Sequence, residues 1–305
     1  MIELFSSDKA EGLEPLPVLP ATTVVTYGKK ILVCMPWQKH VSPITSMCVT
    51  NLVDRKRTAT MMNFGDAFVA HSRNHCADFF LKGDFEWMLT VDDDMVIPFG
   101  NAMWYNAYTG FNFSEKFAGW NALDRLMSHK KSLVGALYFG RHQYGPPVYN
   151  EGTANPQEAT YARGGPYDLI RPTKWVGTGC MLIHRSVFED IEKKFPTIAR
   201  GPDKSGGQWF TSTEVTFMED VIRARAALDG ELNGERAYKA LTLLDAAIAK
   251  ARVDNCLGCG EDVSFCRRAM AAGHQPYVDM GLICGHIGHK VYGPDSTKNK
   301  PVLSR

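Results

Sequence analysis

Apolar runs alternate with amphipathic stretches over the first half of the chain. Lys30-Ile-Leu-Val-Cys-Met35 is a short apolar run stopped by Pro36, the pattern of a buried strand ending in a loop. Ile44 to Arg57 predicts a helix, and Met61 to Phe64 a second strand. Phe68 to Leu81 predicts an amphipathic helix, with Val69, Cys76 and Phe80 near one face and Arg73 and Asn74 beside it. Glu86-Trp-Met-Leu-Thr-Val91 reads as another buried strand and runs straight into Asp92-Asp93-Asp94. A helix over Asn121–His129 then precedes the strand Ser132–Phe139. This alternation predicts an α/β fold, a mostly parallel central sheet with helices on both faces.

The second half is less regular. Residues 140–174 are rich in Gly, Pro, Tyr and Arg and read as long loops with a hairpin. Trp175–His184 reads as a glycine kink feeding a strand, followed by a helix from Ser186 to Lys194 with Ser186 as its N-cap. Residues 219–253 stand apart as two charged helical stretches around Asp-Gly-Glu-Leu-Asn-Gly. In the second stretch, Ala237, Leu241, Leu244, Ile248 and Ala251 form one apolar stripe, so an inserted αα-hairpin is expected. Residues 1–29 read as an extended arm, because Pro15, Pro17 and Pro20 discourage helix. Residues 293–305 read as a tail.

Composition narrows the classes. The 305 residues carry 34 Lys and Arg against 33 Asp and Glu, a formal charge of +1 that argues against a chain-wide grip on DNA or an anionic membrane. No apolar stretch reaches the length of a spanning helix, and the amino-terminal residues lack the pattern of a signal peptide, so no membrane insertion is expected. Eight cysteines are too few for a disulfide scaffold, and they read as reduced thiols in a cytoplasmic protein.

The candidate chemistry begins at Asp92-Asp93-Asp94. A buried strand that ends in carboxylates places them at the carboxyl edge of the sheet, where such folds bind ligands. Hard oxygen ligands there suit Mg²⁺ or Mn²⁺ bridging a diphosphate. The same Asp92-x-Asp94 fits the nucleophile loop of haloacid-dehalogenase-like phosphotransferases, but that strand opens those chains, whereas here two strand–helix units precede it. Gly260-Glu261-Asp262 opens a helix. Its acids suit either a dipole-favoured cap or a base that takes a proton from a hydroxyl nucleophile. In Cys284-Gly-His286-Ile-Gly-His289 the flanking glycines let an imidazole approach a metal, His286 more than His289. Cys256-Leu-Gly-Cys259 invites zinc with Cys266 or Cys284, but a second paired motif is missing. Gly177-Thr-Gly179 lacks the Lys-Ser/Thr of a phosphate loop.

The ordered set formed by Ile31–Pro36, Ser72-Arg73-Asn74, Phe85–Met95, Val134–Tyr138, Val176–Ile183, Gly260–Cys266 and Cys284–Gly288 resembles a GT-A-fold glycosyltransferase. It is similar above all to the glycosyltransferase-like proteins that bacteriophages encode. The resemblance covers residues 30–292 as a single GT-A-like, Rossmann-like catalytic domain. Its donor half is about 30–140 and its acceptor half about 141–292, with the helical insertion at about 219–253. It implies a hexosyl- or pentosyltransferase that uses a nucleoside-diphosphate sugar, such as a UDP-sugar, with Mn²⁺ or Mg²⁺. Asp94, His286 and Asp92 would form the metal site, and Pro36, Arg73, Asp92 and Asp93 the donor site. Asp262, with Glu261 beside it, would be the catalytic base, and Trp209 would stack on the acceptor or a sugar, with simple core packing as the alternative. Acceptors in keeping with a phage enzyme in the host cytoplasm are hydroxymethylated DNA, a protein or a glycan. The clusters Arg55-Lys56-Arg57 and Lys130-Lys131 are the only support for DNA. A sugar nucleotidyltransferase is the enzymatic alternative, and a non-catalytic sugar- or nucleotide-binding module the other. Donor sugar, stereochemistry and oligomeric state stay open.

Overall fold

A computed structural model describes residues 30–37, 41–53, 56–64, 69–99, 121–141, 147–151, 170–196, 198, 206–211, 234–235, 237–244, 260–288 and 291–292. Among these, the main sheet is built from β1 (Ile31–Trp37), β2 (Thr58–Phe64), β3 (Trp87–Val91), β5 (Leu133–Leu137), β7 (Ile170–Pro172), β9 (Cys180–His184) and β10 (Tyr277–Ile283). Their order across the sheet is β2-β1-β3-β9-β5-β10-β7. β1 runs parallel to β2 and β3, and β5 parallel to β10, while β9 lies antiparallel between β3 and β5. β7 is antiparallel at the edge. Five strands therefore share one direction, and the sheet is mostly parallel, as expected.

Side chains that alternate along each strand build two cores. Leu32 and Cys34 of β1, Met88 of β3, and Met181 and Ile183 of β9 face helices α2 (Val69–Lys82), α4 (Arg185–Lys194) and α5 (Glu261–Ala271). Ile31, Val33, Leu89, Val91 and Leu182 face the other way, onto α1 (Pro43–Leu52) and α3 (Ala122–Ser128). Helices thus cover both faces, the arrangement that buried parallel strands require. On the first face Phe188 of α4 meets Phe80, Trp209 and Phe265 at centroid distances of 5.6, 5.4 and 5.5 Å.

Small pairings complete the frame. β4 (Met95–Val96) pairs with β11 (Gly285–Ile287), which also pairs with β12 (Val291–Tyr292). β6 (Tyr149–Asn150) pairs antiparallel with β8 (Trp175–Val176), a non-consecutive strand beyond β7, so this pairing is not the hairpin expected within 140–174.

Three other expectations are corrected. β1 continues through Pro36, which lies past the last residue paired with β3 and so spares the ladder on that side. The N-cap of α4 is His184, whose Nδ1 accepts from the Ser186 N–H at 3.2 Å, so Ser186 lies inside the helix. In the helical stretch 237–244, Ala240 is buried but Leu241 is 60% exposed, so Leu241 does not point inward with the stripe drawn through it. Apart from residues 234–235, the rest of the 219–253 hairpin lies outside the described residues, as do the 1–29 arm, the 293–305 tail and Arg55. Cys34, Cys48, Cys76, Cys180, Cys266 and Cys284 are buried free thiols. Cys266 and Cys284 belong to opposite cores, while Cys256 and Cys259 lie outside the described residues. Among the described residues no helix is long and apolar enough to cross a membrane.

Candidate functional site

The carboxyl ends of β1, β3 and β5 meet at one edge of the sheet. The acidic turn after β3 is fixed there through its backbone. The Asp92 N–H donates to the Gly179 carbonyl at 3.1 Å, the Asp93 carbonyl accepts from the Ser42 N–H at 3.0 Å, and the Asp94 carbonyl accepts from the Ile287 N–H at 2.8 Å. The three aspartates line a cleft of about 280 Å³ with Pro36, Val69, Ser72, Arg73, Arg141 and Glu261.

Arg73 projects from α2 into this edge and is buried, its side chain only 4% exposed. Its Nη2 reaches Asp92 Oδ1 at 2.6 Å and its Nη1 reaches Glu261 Oε1 at 2.5 Å. Burial works against the guanidinium charge, but Asp92 and Glu261 outweigh it and hold the pKa above the ordinary value. One cation therefore joins the acidic turn to the first turn of α5, whose dipole favours acids there. Next to Glu261, Asp262 is raised from 3.8 to about 6, first by burial and then by the Glu261 charge, with Arg73 pulling the other way.

The other side of the turn belongs to Asp94 and His286. The His286 Nδ1 lies 2.8 Å from the Phe139 carbonyl, which can only accept, so Nδ1 carries a proton. That leaves Nε2 facing Asp94 Oδ1 at 3.4 Å. Adjacent ligands of one cation at about 2.1 Å stand about 3.0–3.4 Å apart, so this pair fits two positions of a divalent site. Its outer carbonyl partner fixes the tautomer such a ligand needs. Asp92 is turned to Arg73 instead, and Arg141 Nη1 holds Asp94 Oδ2 at 2.7 Å. Among the described residues, no three His, Cys, Asp or Glu side chains converge as a ready metal cage.

The Gly177-Thr-Gly179 segment acquires a structural reason. A Cβ on Gly177 would stand 2.0 Å from the Tyr138 hydroxyl, so only glycine fits. That hydroxyl accepts the Gly179 N–H at 3.1 Å, and the Tyr138 ring meets His286 edge-on at 5.4 Å. Thr90 donates to the Thr178 carbonyl at 2.6 Å and locks the same turn to β3.

The structure thus brings together Pro36, Arg73, Asp92, Asp93, Asp94 and Glu261 in one cleft, with Asp262 and His286 beside it. Trp209 is not part of the site. It is 2% exposed, donates from Nε1 to Asp78 at 3.0 Å and packs on Phe188, so it offers no ring face to an acceptor. Asn74 likewise serves the loop, accepting the Phe210 N–H at 2.7 Å. His289 lies outside the described residues. Sequence reasoning missed Arg141 and Tyr138; the signal was their place at the end of β5, on the same edge as the acids. At the opposite edge Ser132, His274 and Asp190 form a line, 3.0 Å at each step, that ties β5 to α4.

No family model and no curated protein matches this sequence. Among solved structures, A197 from STIV is 13% identical, with a TM-score of 0.44 over 88% of this chain and 91% of that one. S. aureus TarS is 11% identical, with a TM-score of 0.33 over 73% of this chain and 43% of that one. The chain therefore matches less than half the length of TarS. At such TM-scores these overlaps add nothing to the fold, which rests on the strand order and directions above.

Proposed function

We propose that the cleft binds a nucleoside-diphosphate sugar together with a divalent cation and transfers the sugar to an acceptor hydroxyl. The observation that carries this reading is the convergence, on one sheet edge, of the Asp94–His286 pair with the Arg73-bridged Asp92 and Glu261. The strand arrangement agrees with what the GT-A resemblance implies.

The electrostatics support it. Four carboxylates (Asp92, Asp93, Asp94, Glu261) against two guanidiniums (Arg73, Arg141) leave the cleft lining at a formal −2. A diphosphate is repelled by such a lining unless a dication enters with it, and Asp94 and His286 are the residues that would hold one. The cation, when bound, supplies Lewis-acid stabilisation of the charge that builds on the departing diphosphate. The chain's own groups do the rest. Arg73 clamps Asp92 and Glu261 in fixed rotamers, which leaves Asp92 placed for the donor's ribose. Asp262, with its raised proton affinity, accepts the proton of the acceptor hydroxyl as the new C–O bond forms.

The test is release of nucleoside diphosphate from a panel of nucleotide sugars with Mn²⁺, with Mg²⁺ or with EDTA. Turnover is expected only with a cation. Asp94→Ala is expected to lose about a hundredfold or more, the scale of removing one preorganised electrostatic stabiliser. Turnover indifferent to EDTA or to Asp94→Ala would overturn the reading, and pyrophosphate release from a nucleoside triphosphate and a sugar phosphate would assign nucleotidyl transfer instead. Hydroxymethylated DNA, added as acceptor with an active donor, gains the mass of one sugar per base only if the DNA branch holds.

A further inference from the structure

The two guanidiniums of the cleft differ in how they are held. Arg73 is 4% exposed and bonded to two carboxylates, a fixed part of the wall. Arg141 is 58% exposed and holds a single carboxylate oxygen, Asp94 Oδ2, at 2.7 Å. An ion pair with so exposed a partner contributes little and is readily exchanged. The oxygen it occupies belongs to the carboxylate whose other oxygen faces His286 Nε2 at 3.4 Å. Arg141 also lies two residues beyond Phe139, whose carbonyl sets the His286 tautomer. The end of β5 therefore both orients the imidazole and covers its acidic counterpart.

We propose that Arg141 serves two partners in turn: the Asp94 carboxylate before a diphosphate and its cation bind, and the phosphate oxygens of the diphosphate afterwards. This rests on the reading of Asp94 as a cation ligand. A dication at Asp94 repels the guanidinium, while a diphosphate offers paired oxygens to its planar fork of donors. Arg141 thus competes with the cation alone and cooperates with the cation–diphosphate pair. A structural brace would do neither, because its loss weakens both.

The experiment titrates Mn²⁺ alone by electron paramagnetic resonance into the wild type, Arg141→Ala, Arg141→Lys and Asp94→Ala. It then titrates UDP, GDP and ADP by calorimetry at saturating Mn²⁺. Arg141→Ala is expected to bind Mn²⁺ about two- to fivefold more tightly, the scale of one exposed ion pair removed. It is expected to bind the preferred nucleoside diphosphate about tenfold or more weakly, the scale of a lost charge-assisted hydrogen bond. Arg141→Lys should fall between the two. Mn²⁺ affinity that is unchanged or weaker in Arg141→Ala, or diphosphate affinity that does not fall, overturns the proposal while leaving the cation site standing. Mn²⁺ binding that is absent in the wild type, or that survives Asp94→Ala, overturns the reading of the site and the proposal with it.

Discussion

Burial and the Glu261 charge raise the Asp262 carboxyl from 3.8 to about 6, which puts its titration inside the working range of an enzyme assay. In its proposed role as base Asp262 must be deprotonated to act, so kcat/KM is expected to rise tenfold per pH unit below about 6 and to level off above it. Asp262→Asn should lose about 10²- to 10⁴-fold and abolish that limb. A wild-type profile flat from pH 5 to 8 would remove Asp262 from the base role. Gly177 makes a second residue-scale case. An alanine methyl there would overlap the Tyr138 hydroxyl, at 2.0 Å, and the Val148 side chain, at 2.6 Å. Gly177→Ala is therefore expected to cost about 1–3 kcal/mol in urea unfolding, as overpacked sites do. A methyl on Gly234 would meet none of the described residues within 4 Å, so Gly234→Ala should stay within about 0.5 kcal/mol and serves as the control.

At the scale of elements, β10 depends on one buried carboxylate. Asp279 is fully buried at the register shift of β10 and takes a bidentate pair from Arg125 at 2.6 and 2.7 Å. It also bonds His129 at 2.7 Å and the N–H groups of Gly281 and Leu282. Burial raises its pKa, but the bonds from His129 and Arg125 outweigh this and hold it below 3.8. A folded pKa below the unfolded one contributes stability above pH 4, and that stability is lost as pH falls through the folded value. Asp279→Asn is expected to cost about 3–5 kcal/mol at pH 7, by removing the carboxylate from a buried guanidinium. The gap to wild type should narrow below pH 4, and a gap that stays constant down to pH 2 would count against this account. Elements of this kind were largely legible in the sequence, because amphipathic helices and apolar strands carry their own periodicity. The acidic turn was legible too, since it interrupts an apolar run. Arg141 was not: it follows β5 in a stretch without periodicity, and only the topology sets it beside Asp94. Trp209 misled because an aromatic residue in a loop reads alike whether it faces solvent or core. The deciding partner, Asp78, is 131 positions away.

At the scale of the whole molecule, the +1 balance of the chain conceals a cleft lining at −2, and one sheet separates two cores. α5 lies on the face opposite α1 and α3, yet its first turn reaches Arg73 at the sheet edge. The packing of that face therefore bears on the site from below. Phe188 is its hub, fully buried and in ring contact with Phe80 of α2, Phe265 of α5, and Trp209 and Phe210 of the loop between them. Phe188→Ala is expected to cost about 3–5 kcal/mol, the range for truncating a buried phenylalanine. If the two cores unfold as one unit through their shared sheet, the urea midpoint falls while the slope m stays at the wild-type value. Burial is the first cause of the raised Asp262 carboxyl and the Glu261 charge the second, so a cavity that admits water beneath α5 is expected to move the rise of kcat/KM below pH 6. A reduced m would show instead that the Phe188 face melts apart from the α1–α3 face, leaving β1 and β3 to be held by the second core alone.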